Sequence, residues 1–103
     1  MNIQQMMKQA QSMQKKIQDL QKLMDAKEIV GTAGGDAVTV ITTGKGEVKK
    51  VKIDKDIVNP AETEIIEDLV VAAFNNAKRN ADQYSNEEMN KLGVSPDMLK
   101  GML

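Results

Sequence analysis

The sequence predicts a two-layer α+β subunit: a long N-terminal helix, a three-stranded antiparallel meander, and a second helix with a C-terminal helical extension. Three stretches carry this prediction. Met6 to Met24, MMKQAQSMQKKIQDLQKLM, has no Gly or Pro to interrupt a helix. EIVGTAGGDAVTVITTGKGEVKKVKID is rich in β-branched residues and punctuated by glycines. Asn59-Pro60 then opens a broad apolar stripe at helical spacing. At 103 residues the chain is read as a single domain, with a core of about 6–92 and a tail, 93–103, free to fray.

In the first helix Ile3, Met6, Ala10, Met13, Ile17, Leu20 and Met24 alternate steps of three and four, which is an unbroken a/d heptad seam. Met7 and Leu23 widen it. Such a seam packs on the chain's own sheet, faces a partner chain, or does both along its length, and Met6, Met13, Ile17, Leu20 and Met24 are its candidate core or dimer residues. In the same register Lys8, Lys15 and Lys22 all take position f, opposite the seam. Repeats of seven place them in line, ~10.5 Å apart at 1.5 Å per residue. Lys16 broadens the row, several Gln surround it, and no acid interrupts it before Asp19.

Gly34-Gly35-Asp36 and Gly44-Lys45-Gly46 are hairpin signals, giving strands near 27–33, 36–43 and 47–53. Val38 and Val40 share one face of the middle strand, with Ala37, Thr39 and Ile41 on the other. Neither face is decisively polar, so a sheet partly covered on both sides is expected. In the third strand Lys50 and Lys52 fall on one face and Val51 and Ile53 on the other.

Asn59 is an N-cap candidate and Pro60 suits a first helical position, with Glu62 and Glu64 at the favourable end of the helix dipole. Ile65, Ile66, Leu69, Val70, Ala73, Phe74 and Ala77 make a stripe broad enough for a well-buried helix. It runs towards Leu92 with Gly93 as a C-cap, unless Ser85 and Glu88, at capping-box spacing, break it. Ser95-Pro96-Asp97 marks a start for one more short helix.

The composition narrows the function. With no His or Cys, the usual general bases, nucleophiles and zinc ligands are missing, and a disulfide framework is impossible. TGKGEV lacks the phosphate-loop pattern and lies between strands. Asp54 and Asp56 read as an acidic turn. Neither an enzyme, a cofactor nor a small-molecule substrate is expected. No apolar run approaches a membrane span, so a soluble cytoplasmic protein is expected. Phe74 and Tyr84 are the only aromatics, which leaves a modest aliphatic core that shared burial in a dimer would enlarge.

The net charge of −1 conceals an asymmetry. Residues 1–55 hold ten Lys against six acids, a balance of +4, and residues 56–103 hold four bases against nine acids, a balance of −5. The row Lys8, Lys15, Lys16 and Lys22 is a candidate for phosphate contacts, which set affinity without reading bases. A second cluster comprises Lys45, Lys49, Lys50, Lys52 and Lys55; a Lys-studded edge strand also guards against aggregation. Lys78-Arg79 is a third basic site and, with the α1 row, a candidate for DNA contact. Few aromatics argue against base stacking, and so for double-stranded DNA over single strands.

MMKQAQSMQKKIQDLQ, GTAGGDAVTVITTGKGEVKKVKID and EIIEDLVVAAFNNAKR, in that order and spacing, resemble the YbaB/EbfC family of small bacterial nucleoid-associated proteins. The resemblance runs from about Met6 to Arg79. It implies a homodimer with helices projecting as a tweezer-like pair, binding double-stranded DNA without catalysis and associated with the nucleoid. The sequence departs from many members in lacking a Gly-rich leader and a Pro-Pro-Gly ending, and in having Asp36 at a position where small or apolar residues are common. The rival expectation is a dimeric adaptor that recruits a recombination or replication protein.

Overall fold

In the computed structural model, which describes residues 2–93, α1 spans Ile3–Ala26. The strands are β1 (Glu28–Ala33), β2 (Val38–Thr43) and β3 (Val48–Ile53), and α2 spans Thr63–Leu92. The Asn2 side chain caps α1 by accepting from the Gln5 N–H at 2.8 Å. The strands form one antiparallel sheet in the order β1-β2-β3. In the β1–β2 turn Gly34, Gly35 and Asp36 all have positive φ, which Gly adopts freely and Asp tolerates. The second turn is built around Thr43, whose Oγ1 accepts from the Lys45 and Glu47 N–H groups.

Cα partners share a face of the sheet, so the register sets Ile29, Gly31, Ala33, Val38, Val40, Val51 and Ile53 on one side. The first half of α2 lies on that side, over β1 and β2. Val38 and Val40 are 0% exposed beneath it, packed with Ala73 and Ala77. Gly31 is what lets the helix come so close. A Cβ there would lie 2.5 Å from the Ala73 carbonyl oxygen and 2.6 Å from the Ala77 Cα.

Two asparagines one turn apart hold α2 to the outer edge of β1. Asn76 Oδ1 accepts from the Thr32 N–H at 3.0 Å, and Asn80 Nδ2 donates to the Val30 carbonyl at 2.9 Å. These side chains satisfy backbone groups that an edge strand otherwise leaves to water.

Past the sheet, α2 turns its buried face to α1. Ile17, Leu20, Met24 and Met89 form a second core, flanked by Met13, Tyr84 and Leu92. The Gly44 N–H donates to the Met24 carbonyl at 2.7 Å, joining the second turn to the end of α1. The result is long: 70 × 20 × 18 Å, with a radius of gyration of 18.8 Å. A compact chain of this length would have about 13 Å.

Three expectations need correction. A helix covers one face of the sheet only; on the other, Thr39 and Ile41 are half-buried. The second helix is less buried than its stripe implied, because Ile65 is exposed, Leu69, Val70 and Phe74 are only half-buried, and the fully buried contact is the small-residue row Ala73, Ala77 and Ala81. Asn59 is an N-cap, its Oδ1 accepting from the Ala61 N–H, and Pro60 takes the first helical position as expected, but the helix they open is a 3-10 turn, Pro60–Glu62, that leads into α2 rather than α2 itself. Elsewhere the open choices resolve. α2 passes Ser85 unbroken, the Ser85 hydroxyl lying 3.9 Å from the Met24 sulfur, and ends at Gly93 with φ +72°. The helix start at Ser95 falls outside the described residues.

Gly31→Ala tests the close approach. Backbone atoms on α2 cannot yield as a flexible side chain would, so the substitution is expected to cost about 3 kcal/mol and lower Tm by roughly 15 °C, measured by thermal unfolding.

Candidate nucleic-acid interface

The apolar seam of α1 divides along its length. Ile17, Leu20 and Met24 are buried against α2 and Met13 is half-buried, so this half is a core wall within the chain. Met6 and Met7 are exposed, and Ile3 is 75% exposed. The first three turns of α1 therefore project as a helix without a partner among the described residues.

Lys8, Lys15, Lys16 and Lys22 are all exposed on this helix. Ion pairing leaves them free. The salt bridges among the described residues are Lys45 to Asp25 at 3.2 Å and Lys91 to Glu88 at 3.1 Å. Position f lies opposite the seam that packs on α2, so Lys8, Lys15 and Lys22 point away from the protein body. A row of uncompensated cations on a projecting helix can meet phosphate at little desolvation cost, since each ammonium stays in contact with water.

Lys27 closes the base of the arm. Its Nζ stands 5.4 Å from the Tyr84 ring centroid, a cation–π distance. Burial, then the charge of Glu88, raises the Tyr84 phenol above its usual pKa, opposed by Lys91, so the ring stays neutral at physiological pH.

The other basic residues are placed differently. Lys78 lines a groove of about 340 Å³ with Lys45, Val48, Phe74, Asn75 and Asp82 among others. Lys45 reaches from this groove to Asp25 on α1, so Lys78 sits near the base of the arm. Arg79 is exposed on α2 outside the groove. Lys49, Lys50, Lys52 and Lys55 are exposed on and after β3.

The Asp25–Lys45 pair was not readable from sequence, because it joins residues twenty apart on a helix and in a turn. The paired spacing of Asn76 and Asn80 was a signal for a helix face that meets backbone. Among the described residues no group of acids is placed to hold a metal ion, and Asp54 instead caps the turn Lys55–Ile57 through Oδ1. No helix among them is long and apolar enough to cross a membrane.

These features define a small α+β protein with a helical arm and an open basic surface. The chain belongs to the YbaB/EbfC DNA-binding family, which it matches over residues 1–95. It is 49% identical over 88 residues to a nucleoid-associated protein of Rickettsia felis, covering 85% of this chain and 82% of that one. It is 46% identical over 92 residues to a nucleoid-associated protein of Clostridium novyi, covering 89% and 81%. In fold it is similar to the crystal structure of an uncharacterized protein from Helicobacter pylori. That match has a TM-score of 0.76 at 22% identity and covers 89% of this chain and 98% of the other.

Proposed function

We propose that the chain is a nucleoid-associated protein that binds double-stranded DNA as a homodimer, mainly through the phosphate backbone. In this role it helps organise the bacterial chromosome and modulates gene expression as a consequence. It acts in the cytoplasm at the nucleoid and carries out no catalysis. The observation that carries this reading is the unpaired row Lys8, Lys15, Lys16 and Lys22 on a projecting helix. Backbone contacts need cations in line and no base-reading groups, and that row supplies them.

Dimerisation has support in the sheet. Val51 and Ile53 stand across the ladder from Val40 and Val38, which are 0% exposed, yet they are themselves 39% and 42% exposed. Val48, Val58 and Val71 are exposed nearby, beside the half-buried Val70, Phe74 and Ile57. The core thus runs out to the edge of β3 and stops uncovered, as a domain core cut in half would. A second copy of the chain is the occupant assigned to this face, with Lys78 at its rim. Two subunits joined there would each present one arm.

Two measurements test these claims. Fluorescence anisotropy on unrelated duplexes across a salt series should give log K falling linearly with log salt, at about −0.9 per phosphate contacted. The variant Lys8→Gln/Lys15→Gln/Lys22→Gln should bind at least about tenfold more weakly, with a slope shallower by up to about 2.7 per protomer engaged. A variant matching the wild type would reduce the row to a solvated face. In sedimentation equilibrium, Val51→Glu with Ile53→Glu should halve the mass from two chains to one, and an unchanged mass would move the dimer contact elsewhere.

A further inference from the structure

We infer that the outer face of the sheet is a second contact surface for duplex phosphates, centred on Lys50 and Lys52 and distinct from α1. The inference rests on the DNA-binding reading above and extends it to a surface that the reading does not use.

The register defines this face. Lys50 pairs with Ile41, which pairs with Val30; Lys52 pairs with Thr39, which pairs with Thr32. Both rows cross the whole sheet without an acid; the next row on this face, Thr43 with Glu28, carries one on β1, the strand farthest from the lysines. The two lysines are separated along β3 by two residues, ~6.6 Å. No charge opposes them within the strand, since β3 reads VKKVKI. Neither forms an ion pair among the described residues, in contrast to Lys45. The Thr32 and Thr39 hydroxyls lie in the Lys52 row, and hydroxyls are common donors to phosphate oxygens.

The face is also open. α2 lies on the opposite side, over β1 and β2, and the second copy proposed above takes the apolar side of β3. The strand's alternation then divides its work, with Val51 and Ile53 to protein and Lys50 and Lys52 to solvent. A register shift between Ile41 and Thr42 leaves Lys49 as the extra residue of a bulge, adding a third cation where the strand begins. Just before it, the Asp25–Lys45 pair holds the turn into β3 against the base of α1. An edge guard would require charge on β3 alone. Rows free of acid as far as β1 exceed that need, and they suit a polyanion.

Lys50→Gln/Lys52→Gln in the full-length protein tests the inference. Lys50 and Lys52 are both exposed, and circular dichroism would confirm the fold. Anisotropy on a fluorescent duplex over a salt series should show affinity reduced several-fold and a slope shallower by up to about 1.8 per protomer. The α1 variant, measured alongside, separates the two claims. If the strand variant keeps the wild-type Kd and slope while the α1 variant weakens, the second surface is overturned and the DNA-binding reading stands. If neither the wild type nor either variant binds at low salt, the reading itself fails. If the strand variant self-associates in sedimentation velocity with Kd and slope unchanged, the lysines are edge guards only, and the inference is overturned.

Discussion

The contact between α2 and β1 at Gly31 sets the position of everything beyond it. Ala73 and Ala77 present no bulk, Gly31 presents none, and the helix settles with its backbone nearly against the strand. Asn76 and Asn80 then fix its rotation by bonding to the edge of β1. A helix of 30 residues is about 45 Å long, far more than strands of six residues can support. Its remainder must leave the sheet, and Met89, Tyr84 and Leu92 on that remainder are what α1 packs against. The arm is therefore a consequence of one tight helix–strand crossing near the other end of the molecule.

The apolar core is divided accordingly. One part lies under α2, where small residues permit close packing; the other lies between the helices, where Met and Leu fill a looser seam. Neither part covers the inner face of β3 or the first turns of α1. Those two uncovered surfaces lie at opposite ends of the fold's logic, one continuous with the core and the other beyond it. In the reading proposed above, a second subunit completes the first, and the second carries cations outward. A chain whose net charge is −1 can still hold a polyanion if its acids lie elsewhere, because salt screens charges more than about 8–10 Å apart. Here Glu62, Glu64, Glu67 and Asp68 collect at the start of α2, the helix that lies on the opposite side of the sheet from Lys50 and Lys52, while Asp19 and Asp25 stand on α1.

Much of this was legible in the sequence because the strongest signals are local. Heptad spacing, β-branched runs, glycine turns, and the Gly93 cap each depend on a few neighbouring residues, and each element appears within about three residues of its expected place. What escaped depends on distance. Ile65 looks like a core residue by spacing, but the helix presents its alanines to the sheet and leaves that side chain exposed. A single periodic stripe on α1 allowed a division along its length but could not say where it would fall, since that is decided by where α2 ends. The lysine rows were visible as patterns. Their freedom from ion pairs required the fold, as did the capture of Lys45 by Asp25.

The most direct test of the central claim is a nuclear magnetic resonance titration of isotope-labelled protein with a short duplex at two salt concentrations. If the arm meets the phosphate backbone, the resonances of Lys8, Lys15 and Lys22 and their neighbouring amides should shift on adding DNA and return towards their free positions at high salt. Shifts confined to α2, or unaffected by salt, would contradict a backbone contact made through α1.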